Sequence, residues 1–151
     1  MKTSITLLLF LFIGLTPAFS FTSPKDSLEV KKIWDKAPHN AFPDMIRFKG
    51  DFYVALREGN NHMPDKSGAV RILKSKDGDA WESVALLEEE DRDVREARLS
   101  ITPEGKIMVI TAVGVYDKGY KILYPMVSFS DVNGEAFTPL QQIEMDIEPN
   151  L

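Results

Sequence analysis

"SKDGDAW", residues 75–81, is the stretch on which the fold turns. It brings Ser75, Asp77, Gly78, Asp79 and Trp81 together. Asp-Gly is a tight-turn dipeptide, because glycine accepts the positive φ that such turns require. An acidic turn beside a tryptophan could hold a sugar or a metal, or it could simply join two strands. The flanks favour the second reading. "AVRILKS" before it alternates Val70 and Ile72 with Arg71 and Lys74, and "WESVALL" after it is a short apolar run. Strand-like patterning on both sides of a glycine turn reads as a hairpin. Asp77 is then an acceptor for backbone N–H groups across the turn, and Trp81 packs into the sheet.

The same pattern extends outward. "DMIRFKG", "DFYVALRE", "ARLSITPEGKIMVITAVGV", "KILYPMVSFS" and "FTPLQQIEM" read as further short strands, with turns about every 8–12 residues, the all-β signature. No segment carries a convincing helical period. "LLEEEDRDVREA" is dense in charge and reads as a solvated loop between strands.

The chain repeats itself. Shifted by 55 positions, "IRFKGDFYVA" falls on "ITPEGKIMVI", placing Gly50 on Gly105 and Val54 on Val109. Shifted by 56, "LKSKDGDAW" falls on "FSDVNGEAF", placing Gly78 on Gly134 and Trp81 on Phe137. Each half reads as four strands, the composition of one propeller blade. The expected organisation is a signal peptide over 1–20 and a lead-in over 21–37. Blade one follows over 38–91, and blade two over 92–151 with a degenerate turn at 130–137.

The motif S-x-D-(x)-G-x-x-W between strands resembles the Asp-box, or bacterial neuraminidase repeat, of sialidase-like propellers, and the resemblance runs over positions 38–138. It implies an all-β fold of four-stranded antiparallel blades, six in the full ring, of which about two are present. It implies an exported glycosidase of the exo-α-sialidase type, or a noncatalytic glycan-binding propeller. In that family a first-blade arginine precedes Ile-Pro; here "AFP" stands there, with Ala41 in the arginine slot. Because propellers close with about 4–8 blades, the expectation is an N-terminal part of a longer ring, inactive as a hydrolase on its own.

Composition narrows the partners. "MKTSITLLLFLFIGLTPAFS" pairs Lys2 with an apolar run and ends in "AFS", which reads as a leader cleaved after Ser20. The run is short against the roughly 20 residues of a bilayer span. The expected location is secreted or periplasmic, with no membrane span after cleavage. The net charge is −5, which argues against nucleic acid as a partner. The chain has no cysteine, and His39 and His62 match no compact zinc motif, so no metal or cofactor is expected. The expected partner is a glycan or glycoconjugate.

In a propeller the first strands of the blades line the axis. Segments 38–44, 57–68, 92–98 and 113–121 are expected at the mouth, with the Asp-box turns on the opposite end. Glu58 and Asp65 are the candidate catalytic acids, Glu58 also a candidate to orient Arg57. Arg57, His62, Arg71, Arg95 and Glu96 are the candidate substrate-binding residues, since arginine presents a fork that fits a carboxylate. Ser75, Asp77, Gly78 and Trp81 are the structural Asp-box set.

Overall fold

The structure is a computed structural model, and it describes residues 28–63, 65–116 and 120–145. The chain divides into two compact units, Met1–Val30 and Lys31–Leu151. Of the first only residues 28–30 are described, without helix or strand. The expected leader lies outside the described residues, as does part of segment 113–121. All that follows concerns the second unit.

The fold is all-β. Strands β1 (His39–Phe48), β2 (Asp51–Gly59), β3 (Ala69–Ser75) and β4 (Glu82–Leu87) form one antiparallel sheet in chain order. Strands β5 (Asp93–Ile101), β6 (Ile107–Tyr116), β7 (Tyr120–Phe129) and β8 (Gln141–Gln142) form the second. These are two four-stranded sheets of blade type, and among the described residues they do not close a ring.

Turn chemistry explains the meander. Lys49 and Gly50 both lie at positive φ, 51° and 95°, between the paired ends Phe48 and Asp51. Two successive left-handed residues make the hairpin turn whose twist suits its strands. Gly105, its repeat counterpart, lies at φ 73°. At the turn over 75–81, Asp77 Oδ1 accepts the N–H groups of Asp79 (2.8 Å) and Ala80 (3.0 Å), and Ser75 Oγ accepts that of Gly78 (2.9 Å). Trp81 Nε1 donates to Gly78 O at 2.9 Å. In the second repeat Asp131 Oδ1 accepts from Asn133 (3.1 Å) and Glu135 (2.9 Å), with Gly134 at φ 77°. The acceptor therefore sits one residue before the glycine in the first turn and three before it in the second.

The hydrogen bonds give these turns a pH signature. The N–H groups of Ala80 and Asp79 hold the Asp77 carboxyl below its ordinary range. The N–H of Glu135 does the same for Asp131, against a smaller upward push from burial. A depressed folded-state pKa adds stability above the unfolded value of about 3.9, which is lost as pH falls through the folded value. The double variant Asp77→Asn, Asp131→Asn is thus expected to melt lower at pH 7 and to lose less on acidification from pH 5 to 2. Melting curves across that range test this, and parallel acid limbs in both proteins would refute it.

The core follows the strand period of two. Tyr53 and Ala55 on β2 and Val70 and Ile72 on β3 point at the second sheet. There they meet Ile107, Val109 and Val113 on β6 and Met126 on β7. Val54, Leu56 and Leu73 point the other way and are covered by Ile33, Trp34 and Trp81. With both faces covered, β2 is buried continuously from Tyr53 to Gly59. Trp81 is half-buried on this outer cluster, less enclosed than a core aromatic. The far face of the second sheet carries Met108, Ile110, Val127 and Phe129, and Ile110 is 39% exposed.

One reading is corrected. The charged run is a loop only over 88–92. From Asp93 it is strand β5, and Asp93, Val94 and Arg95 are buried. The strand forms there because β6 supplies its ladder and the first sheet covers it, which outweighs the local charge density.

Candidate functional site

Because the strands within each sheet are antiparallel neighbours in chain order and β4–β5 leads from one sheet to the next, the start of β1 and the loops β2–β3 and β4–β5 gather at one end of the unit. The turns over 75–81 and 130–137 lie at the other. The candidate site is built at the first end, from strand alternation upward.

Arg57 and Glu58 are neighbours on β2 and so face opposite ways. Arg57 points into the seam between the sheets. Its Nε and Nη2 donate to Asp93 Oδ1 at 3.1 and 2.8 Å, and its Nη1 donates to Asn61 O at 3.0 Å. Both side chains of the pair are fully buried. A neighbouring backbone bond, Val94 N–H to Gly68 O at 2.9 Å, closes the same seam. Glu58 does not orient Arg57; Asp93 does. Arg57 also presents no exposed guanidinium for a glycan at the mouth, so its substrate-binding assignment gives way to a seam-closing one.

Glu58 lies on the outer face. Its Oε1 accepts from Trp34 Nε1 (2.5 Å) and Arg71 Nε (3.2 Å), and its Oε2 accepts from Arg71 Nη2 (2.9 Å). The Arg71 guanidinium also sits 5.7 Å from the Trp34 ring and donates to Ser83 Oγ at 2.9 Å. Burial pushes the Glu58 carboxyl up, but the Arg71 and Trp34 hydrogen bonds and the Arg71 charge outweigh it and hold it below its ordinary range. A general acid needs the opposite shift. Glu58 and Arg71 thus clamp the lead-in segment onto the outer face of the first sheet, turned away from the seam.

Asp65 lies in the β2–β3 loop. It accepts from Ser67 N–H (2.8 Å), from the Ser67 hydroxyl and from Asn61 Nδ2 (2.9 Å). Burial raises its carboxyl, but the two Ser67 bonds, the Arg57 charge and Asn61 together hold it below the ordinary range. It is an ionised loop cap.

The remaining candidates come together. β1 and β5, the first strands of the two sheets, run side by side, with Leu99 N–H donating to Asp44 Oδ2 at 2.8 Å. Each carries a bulge, between Ala41 and Asp44 in β1 and between Arg95 and Arg98 in β5. Each bulge holds one non-glycine residue in the left-handed region, Phe42 at φ 54° and Glu96 at φ 59°. Such a backbone costs on the order of 1–3 kcal/mol and collects at functional sites. Bulges re-aim side chains, and they too are common beside sites.

The bulges converge on one group of side chains. The Arg95 guanidinium lies 5.7 Å from the Phe42 ring, and its Nη2 donates to His62 O at 3.5 Å. Its Nε lies 3.6 Å from Asp93 Oδ2 and 3.9 Å from Glu96 Oε1. The His62 ring is 5.5 Å from that of Phe42 and 5.3 Å from that of His39. His62 and Glu96 are exposed, and Arg95 is 8% exposed. Of the expected site residues, His62, Arg95 and Glu96 are brought together, while Arg57, Glu58, Asp65 and Arg71 do other work. Phe42 and Asp93 were not foreseen. Pro43 could have pointed to the first, since proline within a strand marks an edge or a bulge. Among the described residues no three histidine, aspartate or glutamate side chains are grouped to hold a metal ion.

No protein-family model matches the chain, and no curated protein does. Three solved structures are similar in part of their fold. A glycosyl hydrolase from Bacteroides ovatus matches with a TM-score of 0.47 at 12% identity, over 66% of this chain and 30% of its own. A "putative glycoside hydrolase" from Parabacteroides distasonis ATCC 8503 matches at 0.45 and 16%, over 66% and 31%. A "putative glycoside hydrolase" from Bacteroides ovatus ATCC 8483 matches at 0.46 and 18%, over 68% and 30%. The chain spans about a third of the length of these structures.

Proposed function

We propose that this chain is the two-sheet part of an exported, sialidase-like propeller acting on acidic glycans, and that its share of the site is recognition. The observation that carries the proposal is the pair of matched bulges on β1 and β5, which set Phe42, Arg95 and Glu96 together at one end of the seam. Arg95 supplies a planar fork for a sugar carboxylate. The Phe42 ring offers an apolar surface to a pyranose, and Glu96 and His62 border it with polar groups. Export follows from the leader-like start of the sequence, and the six-bladed ring from the Asp-box resemblance.

Hydrolysis of a glycoside calls for a proton donor and a second carboxylate on either side of the bond. Glu58 and Asp65 are both held ionised and hydrogen-bonded, so in this reading those groups come from elsewhere in the ring. The same observation favours a second reading, a noncatalytic glycan-binding propeller.

Calorimetry separates recognition from its absence. The secreted chain is titrated with the methyl α-glycoside of N-acetylneuraminic acid and with its uncharged methyl ester. A hydrogen bond to a charged group contributes roughly 1.5–3 kcal/mol, so the acid is expected to bind at least tenfold tighter than the ester. Arg95→Ala is expected to remove that preference. Equal binding of the two sugars, or an unchanged preference in Arg95→Ala, would defeat the proposal.

A further inference from the structure

Asp93 is fully buried, and its two oxygens serve different arginines. Oδ1 accepts both hydrogen bonds of Arg57, at 3.1 and 2.8 Å, and Arg57 is itself rooted in β2 of the first sheet. Oδ2 lies 3.6 Å from Nε of Arg95, two residues along β5. A buried carboxylate cannot swing, because its site is closed on the other side. A methyl group on Gly68 would fall inside the Asp93 carboxylate, and one on Gly59 would come within 2.8 Å of Arg57 Nη1. The row Arg57–Asp93–Arg95 thus runs from the first sheet to the mouth, joined by two hydrogen bonds at its Arg57 end and by an ion-pair contact at its Arg95 end. Around it stand two guanidiniums and one buried carboxylate, with Glu96 60% exposed at the rim. The two positive charges are matched by Asp93 and Glu96, and Arg95 itself is only 8% exposed.

We infer that Asp93 is a positioning residue: it fixes the Arg95 guanidinium against Phe42 at the mouth, using Arg57 as its anchor in the other sheet. This rests on the proposed recognition of an acidic sugar for its purpose, but the positioning itself is a property of the unliganded protein and is measurable without a ligand. It also accounts for a fully buried ion pair at the mouth end of a seam that apolar contacts otherwise hold.

The test is the order of the Arg95 side chain by nitrogen-15 relaxation at Nε, with Arg95→Lys used to assign its signal. In the wild-type chain the Nε–H group is expected to be as ordered as the β5 backbone. In Asp93→Asn it is expected to become mobile, and the preference for the acid over the ester to fall at least tenfold. Val109→Ala, a core truncation remote from Arg95, supplies a control with lowered melting temperature; it is expected to change neither. Glu96→Gln, at an exposed position, is expected to leave Arg95 ordered, and it keeps the test open should Asp93→Asn fail to fold. A mobile Arg95 in the wild type would overturn the inference, as would an ordered one in Asp93→Asn or one released by Glu96→Gln. If the wild type binds neither sugar while Arg95 behaves as described, the recognition proposal fails and the positioning stands.

Discussion

Gly68→Ala is expected to abolish cooperative folding, or to leave a chain destabilised by several kcal/mol, from a change of one methyl group. Gly68 begins the entry into β3, where its carbonyl accepts the Val94 N–H at 2.9 Å. A Cβ there would overlap Asp93 Oδ1 and lie 3.1 Å from Arg57 Nε. Those neighbours are fully buried and hydrogen-bonded to each other, so neither can turn aside into solvent. Relief requires opening the seam or breaking the pair. Breaking a buried pair costs roughly 3–5 kcal/mol, a large fraction of a domain's total stability of about 5–15 kcal/mol. Equilibrium urea unfolding checks this. A Gly68→Ala midpoint within experimental error of the wild type would show that the seam is looser than described.

Arg57→Met is expected to cost about 3–5 kcal/mol, because it removes both hydrogen bonds that Asp93 Oδ1 accepts from the Arg57 guanidinium at a fully buried site. Asp93→Leu should cost a similar amount by stranding Arg57. The double variant is expected to recover much of the loss, since an apolar pair of similar volume needs no desolvation. The cycle therefore has a large coupling energy, which distinguishes a buried pair from two independently useful residues. Additive single-variant losses would refute the pairing. The double variant has a further use. It would retain the sheets yet lose the Asp93 carboxylate beside Arg95, and so separate what the seam does for folding from what it does for the mouth.

The hairpins were legible in the sequence for a local reason. Gly50, Gly78, Gly105 and Gly134 all lie at positive φ, a demand that a short segment makes on its own residues. Alternation along "AVRILKS" and "IMVITAV" likewise marks a strand with two different faces. What packs on each face is a long-range matter. The partner of Arg57 lies 36 residues away in a run of mixed charge, where nothing distinguishes Asp93 from Asp91 or Glu90. The two differ only in structure, Asp93 being buried in strand and Asp91 exposed in the loop before it. Glu58 invited a catalytic reading beside Arg57, yet the period of two had already turned the pair apart. Its true partners, Trp34 and Arg71, depend on where the lead-in crosses the sheet. That His62, Arg95 and Glu96 lie together was legible because the end loops follow from the meander; the place of Phe42 beside them depends on bulge geometry that only the backbone reveals.

A crystal structure of the protein with the methyl α-glycoside of N-acetylneuraminic acid bound addresses the central claim directly. The sugar carboxylate is expected within hydrogen-bonding distance of the Arg95 guanidinium, the ring against Phe42, and Glu96 and His62 at its edge. A sugar seated instead on the Asp77–Trp81 turn, or one whose carboxylate is held by Arg71 on the outer face, would contradict it.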